Sequence, residues 1–187
     1  MVMAGKGWRG EPYRHSLAAR GVGTKMMRSN LFSYDIYKKV NILSGGMHGN
    51  LAVNMAIENH PDLWDSKTPL AADAQTIIVV SGSAVGDIFP GFTPDNVIGY
   101  IRYKLRYRNG NRIGIELSYL EIRKDWQRKG VGYALLGHFF DHAVGYDNNV
   151  LIAYGSEEGK AFWDRFYKDS NVRNELWERD VTITIEE

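Results

Sequence analysis

The stretch Ile115-Glu116-Leu117-Ser118-Tyr119-Leu120-Glu121-Ile122, continued by Arg123-Lys124-Asp125-Trp126-Gln127-Arg128-Lys129-Gly130-Val131-Gly132-Tyr133-Ala134-Leu135-Leu136, decides the fold of this 187-residue chain. Its first part reads as a strand, and Val131 to about Val144 reads as a helix without proline. A polar turn with two glycines joins them. The first N–H groups of a helix have no partner within the helix, and the helix dipole places partial positive charge there. Glycines at 130 and 132 let a bulky anion approach those donors, and Arg128 and Lys129 add full positive charge beside them. A Walker loop fits poorly, because Gly132 is followed by Tyr133-Ala134 where Lys and Ser or Thr are required. A dinucleotide fingerprint fits poorly as well, since it needs a third glycine and an early βαβ unit.

Leu120 to Leu136 resembles the acetyl-CoA-binding segment of the GNAT N-acetyltransferases. That family's motif, Arg/Gln-x-x-Gly-x-Gly/Ala between a strand and a helix, finds its fixed positions in Gln127, Gly130 and Gly132, and Ala134-Leu135-Leu136 continues it. Lys124 stands where a proline is common, and Arg128 where a glycine frequently follows the first motif residue. The resemblance implies an α/β GNAT fold, a mixed and mostly antiparallel twisted sheet flanked by helices. A splayed parallel strand pair in it forms the CoA cleft. It implies acetyl-CoA as cosubstrate, held by Leu120, Glu121, Ile122, Gln127, Arg128, Lys129, Gly130, Val131, Gly132, Tyr133 and Ala134. Main-chain groups near Leu120 and Ile122 would bond the pantetheine amides in place of a missing strand.

Composition suits one globular domain: 44% of residues are hydrophobic, and the length allows a substantial core. With no cysteine, the chain has no disulfide, thiolate metal site or cysteine nucleophile. No apolar run approaches the roughly 20 residues that cross a bilayer, and no signal-type segment opens the chain, so a cytoplasmic location is expected. Five histidines show no metal spacing. His138 and His142 share a helical face but lack a third ligand.

The net charge of +1 hides an asymmetry. Residues 1–40 hold eight Lys/Arg against two Asp/Glu, a net of +6, whereas residues 141–187 hold five against eleven, a net of −6. Residues 1–29, rich in Gly and Arg, read as a basic arm, and residues 30–187 as the GNAT domain. Such an arm folds back on an acidic face of its own chain or of a homodimer partner, or holds nucleic acid.

Tyr34 to Leu43 and Asn50 to Asn59 read as helices separated by Gly45-Gly46, the second with a stripe through Leu51 and Met55. Met26, Met27, Met47 and Met55 read as packing residues. Thr76 to Val80 reads as a buried strand. Val97 to Arg108 alternates, with Ile101, Tyr103, Leu105 and Tyr107 on one side and Arg102, Lys104, Arg106 and Arg108 on the other. Alternation parts the rings from the cations, which argues against one stacking groove for single-stranded nucleic acid. Asn109-Gly110 predicts a tight hairpin into Arg112 to Ile122. Val150 to Tyr154 reads as a parallel strand beside it, Glu158 to Lys168 as a helix, and Leu176 to Ile185 as the closing strand.

Acetyl transfer needs a deprotonated amine. A lysine-like amine is neutral about once in 2,500 molecules at pH 7, a cost of about 4.6 kcal/mol, which a positioned carboxylate offsets. Glu116 and Glu121 lie an odd number of residues apart on one strand, so a regular strand sends them to opposite faces. Glu116 is the expected base, since it stands eleven residues before Gln127, where histone-type members of the family carry theirs. The family's tyrosine acid aligns with Trp163, whose indole N–H is no acid at neutral pH. Tyr167, one turn further on, is the expected acid, with Tyr154 and Ser156 as alternatives and His48 as a minor alternative base. The expected activity is direct acetyl transfer to a primary amine on a small molecule or protein, in a ternary complex. A nucleic-acid-associated acyltransferase of aminoacyl-tRNA type and a non-catalytic CoA-binding domain are the rival readings.

Overall fold

A computed structural model of the chain describes residues 39–82, 92–142, 149–153, 157–169 and 181–186. The basic arm expected over residues 1–29 lies outside the described residues, as do Met26, Met27, Tyr154 and Ser156. Among the described residues the order is β1 (Val40–Ser44), α1 (Gly46–Asn59), β2 (Gln75–Ser81), β3 (Val97–Arg108), β4 (Asn111–Ile122), α2 (Val131–His142), β5 (Asn149–Ala153), α3 (Glu157–Lys168) and β6 (Thr182–Glu186). The strands form one six-stranded sheet in the order β1-β2-β3-β4-β5-β6. β1 and β2 pair antiparallel, as do β2 and β3, while β4, β5 and β6 run parallel to one another. The chain therefore has the mixed α/β architecture expected.

The described residues divide into two compact units. One comprises Phe32–Tyr103 and Tyr119–Asp141. Its core joins Ala52, Val53 and Ala56 of α1 to Trp64, Leu70, Ile78, Val80, Val97 and Tyr100. α2 belongs to the same unit and buries Val131, Ala134, Leu135, Leu136 and Phe139, with Tyr103 meeting Phe139 edge-on.

Two expectations for this unit are corrected. Residues 40–43 are strand, not the end of a helix: Val40 to Ser44 pair with Ser81 to Ile77. A free edge of β2 offers a full ladder to a β-branched run whose helical pattern is weak, and tertiary pairing wins. Gly45-Gly46 is accordingly the corner from β1 into α1. Gly45 donates its N–H to the Thr76 carbonyl at 2.9 Å, and a Cβ there would stand 1.9 Å from Thr76 Oγ1. The second correction concerns the stripe of α1. Met47, Leu51 and Met55 are exposed (68%, 57% and 42%), and the buried face is Gly49, Asn50, Ala52, Val53 and Ala56. Small residues let the helix axis approach the sheet so closely that a Cβ at Gly49 would lie 2.7 Å from Ile78 Cδ1. Met47 and Met55 are thus not core packing residues.

The other unit includes Lys104–Ser118 and the described residues from 142 onward. Asn109 (φ 50°) and Gly110 (φ 78°) make the hairpin turn with positive φ at both positions, as the dipeptide predicted. Ile115 and Leu117 of β4 pair beside Val150 and Ile152 of β5, and all four are buried. β6 starts at Thr182, later than expected, and residues 170–180 lie outside the described residues. In α3, Trp163 and Phe166 are buried, 5.4 Å apart edge-to-face. The expected alternation of β3 fades at its exposed end, where Tyr107 is 60% exposed beside the exposed Arg106 and Arg108.

Candidate active site

After Ile122 the chain makes one tight turn, Lys124–Trp126, before α2. Three side chains fix it. Gln127 Nε2 donates to the Ile122 carbonyl at 2.9 Å, so the motif glutamine ties its own turn back to the strand end. Arg123 grips Asp125 through Nε at 2.7 Å and Nη2 at 3.1 Å. Its Nη1 donates to the carbonyls of Asp95 and Val97, and its backbone N–H to that of Ile98. The hydrogen bond from Arg123 holds the Asp125 carboxyl below its ordinary value. Lys129 places its ammonium 5.0 Å from the centre of the Trp126 ring.

The turn then enters the left-handed region twice, at Arg128 (φ 60°) and Gly130 (φ 85°). α2 follows at once, with Ala134 N–H bonded to the Gly130 carbonyl at 3.1 Å. The N–H groups ahead of Ala134 have no carbonyl four residues back within the helix. A Cβ built at Gly130 meets nothing within 4 Å, so the space above the turn is open. Gln127 to Gly130 thus form a turn that runs directly into α2, with the exposed Arg128 and Lys129 beside the helix start. Among the described residues the register of β4 with β5 covers Ile115–Leu117 opposite Val150–Ile152, while β4 runs on to Ile122.

The carboxylates of β4 have no partner in common. Glu116 pairs with Arg106 Nη1 at 2.8 Å and accepts from Ser118 Oγ at 3.3 Å. Glu121 is 7% exposed. Its Oε1 accepts the backbone N–H of Asp65 and, at 3.1 Å, that of Ser66, while Tyr100 Oη lies 3.4 Å from Oε2. Burial pushes the Glu121 carboxyl up, against the pull of those two N–H donors. Tyr100 stacks on Tyr119 at 5.7 Å and lies 6.1 Å from Trp64, and burial raises both tyrosines.

This cluster was not foreseen as a unit. Trp64 packs in the core of this unit, but nothing in the sequence near it announces Glu121. The connection that Glu121 holds, Pro61 to Ala74, is also tied by α1. Asn50 Nδ2 donates to the carbonyls of Ala71, Ala72 and Ala74, and Thr76 Oγ1 donates to Asn50 Oδ1 at 2.6 Å. Asn54 exchanges two hydrogen bonds with the Leu70 backbone. The available signal was the spacing of Asn50 and Asn54, four apart on one helical face. Trp163 is a packing residue of α3, as its burial shows. Tyr167 lies on the same helix, and its side chain is outside the described residues.

No curated protein matches the chain. Among solved structures it is similar to an integron cassette protein from the mobile metagenome of V. cholerae, with 15% identity, TM-score 0.45, and coverage of 70% of this chain and 83% of that one. It is also similar to a ribosomal-protein-alanine N-acetyltransferase from Brucella melitensis biovar Abortus 2308, at 13% identity, TM-score 0.43, and 68% and 89% coverage. A third, AtaTR bound with acetyl-CoA, has 15% identity, TM-score 0.41, and 68% and 82% coverage. No helix among the described residues is long and apolar enough to cross a membrane. The model of the acetyltransferase (GNAT) family matches residues 54–169, more than half of the sequence and the whole strand–turn–helix segment, so the chain belongs to the GNAT family of acetyltransferases.

Proposed function

We propose that this chain moves an acetyl group from acetyl-CoA to a primary amine by direct attack in a ternary complex. The observation that carries the reading is the turn Gln127–Ala134, with Gly130 in the left-handed region under open space at the start of α2. Acetyl-CoA supplies the thioester carbonyl. The N–H groups of Val131 and Gly132 bind its pyrophosphate with help from the α2 dipole, and main-chain groups of Leu120 and Ile122 take its amides. A side chain at Gly130 would project into the diphosphate.

Glu116 is assigned the amine proton. Its present partner, Arg106, is a half-exposed guanidinium, so Glu116 can exchange it for an incoming amine without stranding a buried charge. Tyr167 is assigned the proton returned to the thiolate. Trp163 cannot take that role, being buried among Phe162 and Phe166 and lacking an acidic proton.

Glu116→Gln is expected to lower turnover on an amine by roughly 10² or more, the scale of lost general-base catalysis, while acetyl-CoA binding is unchanged. Thiol release over an amine panel reads the first and calorimetry the second. Turnover within a factor of about two of wild type removes Glu116 from the mechanism. Stabilisation by acetyl-CoA without release on any amine favours a binding domain instead.

A further inference from the structure

Helix α1 presents to solvent the apolar stripe that its hydrophobic pattern assigns to the core. Met47, Leu51 and Met55 are three of the five exposed large hydrophobic side chains among the described residues. The small residues of the opposite face already pack α1 against the sheet, so folding does not use the stripe. An apolar row held in water on a well-packed helix marks a contact surface.

The ends of the exposed line say what covers it. His48, Leu51, Met55 and Glu58 are all exposed, and their spacing of three, four and three is that of the seam between two helices crossing at a shallow angle. Glu58 is the only Lys, Arg, Asp or Glu of α1. Among the described residues the side chains of His48 and Glu58 have no hydrogen bond or ion pair. A second α1 laid antiparallel on this line, about a two-fold axis, sets Leu51 opposite Met55 and His48 opposite Glu58, each contact occurring twice. Two apolar contacts then close the centre, and at each end an imidazole N–H donates to a carboxylate. A parallel pair would instead set Glu58 against Glu58. A bilayer surface favours Lys or Arg beside such a stripe, and α1 has neither.

We propose that two copies of this chain associate through an antiparallel α1–α1 contact along His48, Leu51, Met55 and Glu58. Four side chains from each copy are few beside the roughly 20 to 30 residues a side of a standard interface, so the pair is weak and reversible. Sedimentation equilibrium of the full chain from about 10 µM to about 1 mM is expected to show dimerisation. Leu51→Lys places charge in the apolar centre and should weaken it about tenfold or more. His48→Glu alone and Glu58→His alone should each weaken it about threefold, while the two together restore the wild-type value by exchanging the ends. Far-UV circular dichroism checks that each variant keeps its helices. The chain has no cysteine, so copies with Leu51→Cys and copies with Met55→Cys, mixed and oxidised, should cross-link to each other faster than either does with itself. A chain that stays monomeric up to about 1 mM overturns the proposal, and so does a dimer that Leu51→Lys leaves intact. A double exchange no tighter than the single variants overturns the antiparallel pairing.

Discussion

The turn from Ile122 to Ala134 and the connection from Pro61 to Ala74 lie in the same compact unit and differ in where their bonds concentrate. Within the turn the bonds are short-range, Gln127 to Ile122, Trp126 to Arg123 and Arg123 to Asp125. At its start Arg123 and Lys124 reach Asp95, Val97, Ile98 and Asp65, and from Gln127 onward charge and backbone are left exposed. The connection has the single turn Pro61–Leu63 and a few local bonds, from Lys67 Nζ to the Pro61 and Trp64 carbonyls and from the Ala74 N–H to the Ala71 carbonyl. Three side chains distant in sequence, Asn50, Asn54 and Glu121, tie it to the rest of the unit. A segment whose bonds are local can remain open to a ligand without unfolding. A segment tied from afar is only as stable as its tethers. The contrast predicts that damage to the connection costs folding, while damage to the turn costs binding.

Asn50→Ala is the strongest way to break that contrast. The side chain is fully buried and serves three carbonyls and one hydroxyl. Its removal leaves the Thr76 hydroxyl without its buried partner and the three part-buried carbonyls to water, and the expected loss is about 2 kcal/mol in denaturant unfolding. Acetyl-CoA affinity, measured on the folded protein, should remain at the wild-type value. Unchanged stability would mean that the connection is held by its apolar contacts alone.

Gly130→Ala tests the other side. The methyl meets no protein atom, so the cost to folding is only the left-handed conformation, about 1 kcal/mol. The same methyl stands in the open space over the helix start, and acetyl-CoA affinity should fall about tenfold or more by calorimetry. If stability falls while affinity holds, the cradle lies elsewhere.

The same division explains what could be read from the sequence. Gln127, Gly130 and Gly132 were legible because their physics is local: spacing, φ and a helix start. The hairpin at Asn109-Gly110 was legible for the same reason. Residues 40–43 were misread because their strand state comes from the edge of β2, some 35 residues away in the chain. The face of α1 was inverted because close packing against Ile78 rewards glycine and alanine, which a hydrophobic pattern scores as neutral. The role of Glu121 was hidden, since the N–H groups it accepts belong to Asp65 and Ser66, whose side chains carry no sign of the bond.

Glu121 joins the two regions, because it extends from the strand leading into the turn and accepts from the connection. Its ionisation gives the smallest of these effects and the sharpest sign. Well below the ordinary glutamate value of 4.5, folded and unfolded chains both hold the proton, and no charge is buried. As pH rises through that value the unfolded chain ionises first. Stability then falls until pH passes the raised value of the folded protein, and stays level above it. Gln keeps the shape and can accept the same two N–H groups, but it does not titrate. The stability of Glu121→Gln minus that of wild type should therefore shift in favour of Gln as pH rises from acid to neutral. Asp125, whose lowered value works in the opposite direction, cancels in that difference because both proteins carry it. Urea unfolding of the two proteins across the acid range measures it. A difference that is flat with pH would show that the two backbone donors fully offset the burial of the charge. Glu121 would then be an ordinary tether like Asn54, with no electrostatic cost in joining the connection to the turn.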